Sequence, residues 1–132
     1  MSDLSTRPPS SPGASLAFPA PHILLVTITR EKQMNSIPSA LHWDLDALFT
    51  WFDNEPSLYV AVVTGAGKKA FCAGQDLIEL GRQGKKSTEK SWHPPSGFAG
   101  LSRRVGKKPV VAAVNGLALG GGFEIVLNWY VM

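Results

Sequence analysis

Two stretches of this sequence gather small residues where a backbone, rather than a side chain, can do chemistry. The first, AFCAGQDL (residues 70–77), sets Ala73 and Gly74 directly before Gln75, Asp76 and Leu77. The second, NGLALGGGFE (residues 115–124), runs through Gly120, Gly121 and Gly122 and reaches an acid, Glu124, two residues later. Each follows an apolar run and leads into a helical pattern, so unhindered N–H groups fall at a helix start, where the dipole is positive. Two such groups converging on one point form an oxyanion hole, which stabilises a carbonyl oxygen as it gains negative charge. Each motif alone has a plainer meaning. Gly74 and Gly120 to Gly122 permit positive φ and close helix packing, and a first-turn Glu124 stabilises a helix dipole by about 0.3–1 kcal/mol. Their joint occurrence, with the acid beside the triple glycine, favours chemistry.

Other glycine-rich sites do not fit. A Walker-type phosphate loop needs a glycine five residues before Gly-Lys and a Ser or Thr after it, but Gly67-Lys68 has Val62 upstream and Lys69 downstream. The dinucleotide pattern Gly-x-Gly-x-x-Gly started at Gly120 meets Gly122 and then Ile125. Cys72 has no histidine linked to it by a recognised pattern and reads as a small packing residue. His22, His42 and His93 lack metal-ligand spacing, so surface or structural roles and no metal are expected.

The elements that must position these motifs read as alternating strands and helices. Residues 1–21 hold five prolines among serines and glycines and read as a flexible tail, with neither a secretory nor a mitochondrial signal pattern. HILLVTITR (22–30) reads as a strand. Leu41, Leu45, Leu48 and Phe52 recur at helical spacing, predicting a helix over 39–53 with Ser39 as its N-cap, closed before Pro56. Trp43, Phe49, Trp51 and Phe52 on that helix read as core. SLYVAVVTG is nearly continuous in apolar residues, as in a parallel strand buried on both faces. Strand, helix and strand then make a right-handed crossover. QDLIELGR predicts a short helix ending near Gly81, and GKKSTEKSWHPPSG a polar surface segment. FAGLSRRVGKK predicts a helix with Phe98, Leu101 and Val105 on one side, leading into a second buried strand, PVVAAVNG. A last helix begins near Gly121 and runs to the chain end without a cap.

A chain of 132 residues supports one modest core. With 44% hydrophobic and 17% charged residues it is globular in composition, and no stretch approaches the roughly 18 uncharged apolar residues of a membrane span. Thirteen Lys and Arg against ten Asp and Glu give +3, which suits an anionic small ligand and falls short of a nucleic-acid footprint. Neither a membrane nor a nucleic acid is therefore an expected partner. One cysteine cannot form an internal disulfide, which fits a reducing compartment.

At its two glycine motifs the sequence resembles the enoyl-CoA hydratase/isomerase family, the crotonases, whose motifs look like AFCAGxDL and NGxxxGGGxE. The resemblance covers about residues 22–128, including VVTGAG and KKPVVAAVNG. It implies an α/β fold, a crotonase spiral of repeated ββα units, with residues 22–132 forming its N-terminal part. It implies oxyanion donors at the N–H groups of Gln75 and Gly121, with a glycine at 121 keeping any Cβ clear of the acyl chain. Glu124 takes the place of the first of two acid/base glutamates, and Gln75, Asp76, Leu77 and Ile78, with Gly121, line the acyl-CoA groove. The implied reaction is hydration or isomerisation of an enoyl-CoA in fatty-acid or related acyl-CoA metabolism, with no cofactor because coenzyme A belongs to the substrate. The cations at 82, 85, 86, 90, 103, 104, 107 and 108 then either meet CoA phosphates or lie on solvated helix faces.

The chain departs from the family after the glycine helix. It continues as Asn128-Trp129-Tyr130 and stops at Met132, so the second glutamate and the helices through which the family forms trimers or hexamers fall outside it. The resemblance thus describes a truncated unit, not expected to form those assemblies, and leaves two readings: an acyl-CoA enzyme, or a catalytically incomplete fragment that at most binds acyl-CoA or a full-length subunit. Mitochondrion, peroxisome and cytosol all remain open as compartments.

Overall fold

The computed structural model describes residues 4–79 and 93–129. Its frame is a parallel pair, β2 (Ile23–Ile28) and β3 (Val60–Gly65), in register from Ile23 opposite Val60 to Ile28 opposite Gly65. α1 (Ser39–Asn54) makes the crossover between them. Its apolar stripe buries Leu41, Leu45, Leu48 and Phe52 as the spacing predicts, together with Phe49 and His42. Leu24, Val26 and Ile28 of β2 and Ala61 and Val63 of β3 share this core. Burial alternates along β3, with Val60, Val62 and Thr64 only half-buried, so the strand is not sealed on both faces as its composition suggested.

Two more strands, β1 (Ala14–Ala17) and β5 (Val110–Ala112), complete the main sheet, in the order β1-β2-β3-β5. β5 runs parallel to β3, as predicted for PVVAAVNG. β1 pairs antiparallel with β2, Ala14 opposite Ile28. This corrects the expectation of a flexible tail up to residue 21. Ala-Ser-Leu-Ala lies between the proline clusters, free to donate ladder hydrogen bonds, and Leu4, Leu16 and Phe18 pack against the core.

A second, small parallel sheet joins β4 (Ala70–Cys72) to β6 (Leu117–Ala118), with a register irregularity between Ala70 and Cys72. α2 (Gly121–Trp129) follows directly; residues 130–132, the end of the predicted last helix, lie outside the described residues. The helix predicted for QDLIELGR starts at residues 77–79, and its end near Gly81 also lies outside them, as does most of GKKSTEKSWHPPSG.

Three other expectations are corrected. Ser39 is the first residue of α1, not its N-cap; extended Pro38 holds that position. The Ser39 N–H donates to the Glu79 carboxylate at 2.9 Å, and the Ser39 hydroxyl is buried without a partner among the described residues. FAGLSRRVGKK forms no α-helix: it makes a 3-10 turn at Phe98–Gly100 and then irregular chain. Gly97, Ala99 and Gly100 there adopt φ of 87°, 57° and 68°, which breaks helical continuation and leaves Val105 fully exposed. Finally, Trp43 is 43% exposed and Trp51 half-buried, so Phe49 and Phe52 supply the aromatic core of α1.

Candidate active site

The small sheet brings the two glycine motifs together. β4 delivers Ala73, Gly74 and Gln75, β6 delivers Gly120 and Gly121, and the strands lie side by side. Gly74 has φ 104° and Gly120 φ 54°, left-handed conformations that suit glycine at each turn. The chains approach so closely that a methyl group on Gly74 would sit 3.1 Å from the Leu119 carbonyl oxygen and 3.8 Å from the Gly121 nitrogen. Between the loops opens a cavity of about 470 Å³, lined by Ala73, Gly74, Gln75, Leu77, His93, Gly97, Phe98, Ser102, Arg103, Gly120, Gly121 and Glu124.

Local hydrogen bonding leaves both candidate amides available. Ile37 brackets Gln75 in a parallel bridge: its N–H donates to the Gly74 carbonyl at 2.8 Å, and its carbonyl accepts the Asp76 N–H at 3.0 Å. In such a bridge the central residue's own N–H points away from its partner strand. Gly121 is the first residue of α2, where an N–H has no acceptor within the helix. Neither the Gln75 nor the Gly121 N–H donates to a protein acceptor among the described residues.

Gly121 meets the close packing that was the plainer reading of the triple glycine. A Cβ at 121 would collide with the Phe98 ring, which closes the cavity wall, and one at 122 would collide with the Cys72 carbonyl oxygen. Close packing of α2 on β4 and on the Phe98 turn is what excludes side chains here.

Of the remaining sequence-derived candidates, Glu124 and Leu77 line the cavity, Glu124 as its one carboxylate among the described residues. Asp76 and Ile78 do not line it. Asp76 forms an ion pair with Arg30 at 2.7 Å and accepts the Ile78 and Glu79 N–H groups at 3.1 Å, which caps the helical start at residue 77. Ile78 is 66% exposed and points elsewhere. Cys72 is fully buried, and burial pushes its thiol up to about 11, as befits packing. The cations at 82, 85, 86 and 90 lie outside the described residues. Arg104 pairs with Asp53, Lys107 donates to Asn54, and Lys108 donates to the Phe52 and Glu55 carbonyls, so all three cap the end of α1. Arg103 alone of the described set reaches the cavity.

Sequence spacing missed two histidines. His42 Nδ1 accepts the Ala99 N–H at 2.8 Å, and His42 Nε2 lies 2.7 Å from Gln75 Oε1. His93 Nε2 lies 3.2 Å from the same oxygen. The rings stand edge to face, 4.4 Å apart. Burial lowers the His42 pKa to about 4, with the Gln75 hydrogen bond opposing the shift. The His93 pKa is also lowered, first by desolvation, against the raising effect of the Glu124 charge. One legible signal existed: His42 falls on the same helical stripe as Leu45, Phe49 and Phe52. Nothing in the spacing of His93 announces it.

Comparison with known proteins agrees with this geometry. The family model for enoyl-CoA hydratase/isomerase matches residues 20–129. The chain is 52% identical to mevalonyl-coenzyme A hydratase of Beauveria bassiana, over 92% of this chain and 45% of that protein. It is 48% identical to the mevalonyl-coenzyme A hydratase of Aspergillus fumigatus, over 91% of this chain and 44% of that one. The crystal structure of carnitinyl-CoA hydratase from Mycobacterium avium superposes with a TM-score of 0.77 at 35% identity, covering 89% of this chain and 44% of that chain. The chain therefore spans less than half the length of these relatives. Its α/β architecture is that of the crotonase fold, and the chain belongs to the enoyl-CoA hydratase/isomerase family.

Proposed function

We propose that this chain forms the oxyanion-binding side of an acyl-CoA hydratase site. The observation that carries the reading is the pair of uncommitted backbone N–H groups, at Gln75 and Gly121, beside one cavity that also holds Glu124. A thioester carbonyl on these two donors gains negative charge as water adds to the neighbouring C2=C3 bond, and the donors stabilise that charge by several kcal/mol. Hydroxyl is delivered to C3 and a proton to C2; Glu124 takes the water proton as general base or returns it as acid. The family assignment and the hydratase names of the relatives support hydration and its reverse, dehydration, as the reaction. Coenzyme A arrives with the substrate, and the addition of water needs no redox or group-carrying cofactor.

A specific observation favours the second reading for the 132-residue chain alone. Acid/base work that two carboxylates share in the family falls here to Glu124, the one carboxylate at the cavity among the described residues. Slow crotonyl-CoA hydration is therefore expected, followed by loss of the enoyl absorbance. Glu124→Gln lowers the rate by about 100-fold or more. Rates unaffected by Glu124→Gln would overturn the assigned role. Turnover matching that of a full-length relative would overturn the one-carboxylate reading.

A further inference from the structure

The cavity contains a histidine whose orientation is set by a chain of hydrogen bonds that the oxyanion hole does not require. The chain starts at a backbone group whose proton is fixed: the Ala99 N–H must donate, so His42 Nδ1 is an acceptor. A neutral His42 therefore carries its proton on Nε2 and donates it to Gln75 Oε1. That donor also fixes the side-chain amide of Gln75, because the flipped amide would face two N–H groups toward each other. Since Gln75 Oε1 accepts, His93 must also donate from Nε2. The neutral His93 ring is then left with a lone pair on Nδ1, which has no protein partner among the described residues.

This arrangement has a cost that packing alone does not explain. Orienting Gln75 toward two histidines leaves its Nε2 buried without an acceptor among the described residues. An unpaired buried amide is unfavourable and in a native site calls for a functional reason. A leucine at 75 would remove that defect and leave the backbone amide intact, but it would strip His42, which is buried, and His93 of the acceptor for their Nε2–H groups. The Gln75 carbonyl oxygen is explained by a double task, satisfying the buried His42 N–H at 2.7 Å and holding His93 at 3.2 Å.

We propose that His93 presents Nδ1 to the cavity as an acceptor for a hydroxyl group on the acyl chain, making it a residue that selects hydroxylated acyl thioesters, with Gln75 and His42 as its positioning residues. The inference rests on the reading of this cavity as an acyl thioester site. His93 lines the same cavity as Glu124 and Gly121, within reach of the Glu124 charge, so an acyl group bound in that cavity has His93 in its wall. A carboxylate in place of His93 would repel Glu124, and a lysine would offer only donors, leaving the hydroxyl proton without an acceptor. A neutral imidazole with one nitrogen already committed is an acceptor at the other.

The test compares butyryl-CoA with the two enantiomers of 3-hydroxybutyryl-CoA, titrated calorimetrically into the 132-residue chain. One hydroxylated enantiomer should bind about three- to tenfold tighter than butyryl-CoA, the range of one neutral hydrogen bond. His93→Leu should bring that ratio to about one. His93→Asn, whose Oδ1 replaces Nδ1, should restore part of it. Imidazole ¹⁵N shifts should report the Nε2–H tautomer for both His42 and His93. Equal binding of all three thioesters, or a preference that survives His93→Leu, overturns the inference while leaving the acyl thioester site standing. Absence of binding by any of them overturns the site reading itself and the inference with it. A His93 Nδ1–H tautomer overturns the proposed acceptor even where the preference exists.

Discussion

His42 shows how one buried side chain couples the candidate site to the stability of the fold. Its folded pKa of about 4 lies below the ordinary 6.5, so between these values the unfolded chain binds more protons than the folded one. Its contribution is complete above pH 6.5 and is lost as pH falls through 4. The urea midpoint should therefore decline across that window, and His42→Gln should make the decline shallower; an unchanged profile would show that His42 is not held neutral. At Gly121 the structure sharpens a different substitution. Because a Cβ there meets the Phe98 ring, Gly121→Ala should destabilise the fold by about 1–3 kcal/mol through overpacking, measurable by urea denaturation. It follows that Gly121→Pro, the obvious way to delete the candidate N–H, cannot isolate that donor, since it adds the same Cβ. The meeting of Gln75 and Gly121 at one cavity was legible because the glycines announce close approach. The histidine chain was not, since it depends on which residue meets which across separations of 33 and 57 positions.

Among elements, the N-terminal segment departs furthest from its sequence reading. Composition made it a tail, yet β1 completes the edge of the sheet, and Ser5 donates its N–H and hydroxyl to Glu55 Oε1, each at 2.6 Å. Trp51 Nε1 donates to Thr6 Oγ1 at 2.9 Å. Proline density reports that a segment cannot be a helix; it does not report whether a neighbouring element offers partners. Glu55 closes α1 beneath these contacts. Its pKa falls from 4.5 to about 2, chiefly through the Ser5 hydroxyl and then the Ser57 N–H. A depressed carboxylate contributes stability above pH 4.5 that is lost as pH falls through 2. Deleting residues 1–9 should raise the Glu55 pKa and move acid unfolding to higher pH, monitored by circular dichroism. An acid midpoint that stays in place would show that Ser5 does not hold Glu55. The strands and α1 were readable because period-2 and helical patterns survive in any context. The Phe98–Gly100 turn was misread as helix because its apolar spacing fits one, while Gly97, Ala99 and Gly100 take positive φ, and Gly100 packs directly against the α1 backbone at Leu45 and Asp46.

The molecule as a whole presents an uneven surface. Leu117, Leu119, Phe123 and Leu127 are exposed on β6, the glycine turn and α2, Leu127 at 69%, and β5 lies at the end of the described sheet. An apolar stretch beside an open strand edge promotes association. Sedimentation velocity should show concentration-dependent self-association of the 132-residue chain, reduced by Phe123→Lys together with Leu127→Lys; a monomer at all concentrations would refute this. Cys72 lies under Gly122 of α2, sealed by the same contact that forbids a side chain there. The molecule therefore contains a single internal clock. Any thiol reagent must wait for α2 to part from β4, so the labelling rate of Cys72 counts how often the two glycine motifs separate, in a 132-residue chain that has no other sulfhydryl to confuse the signal.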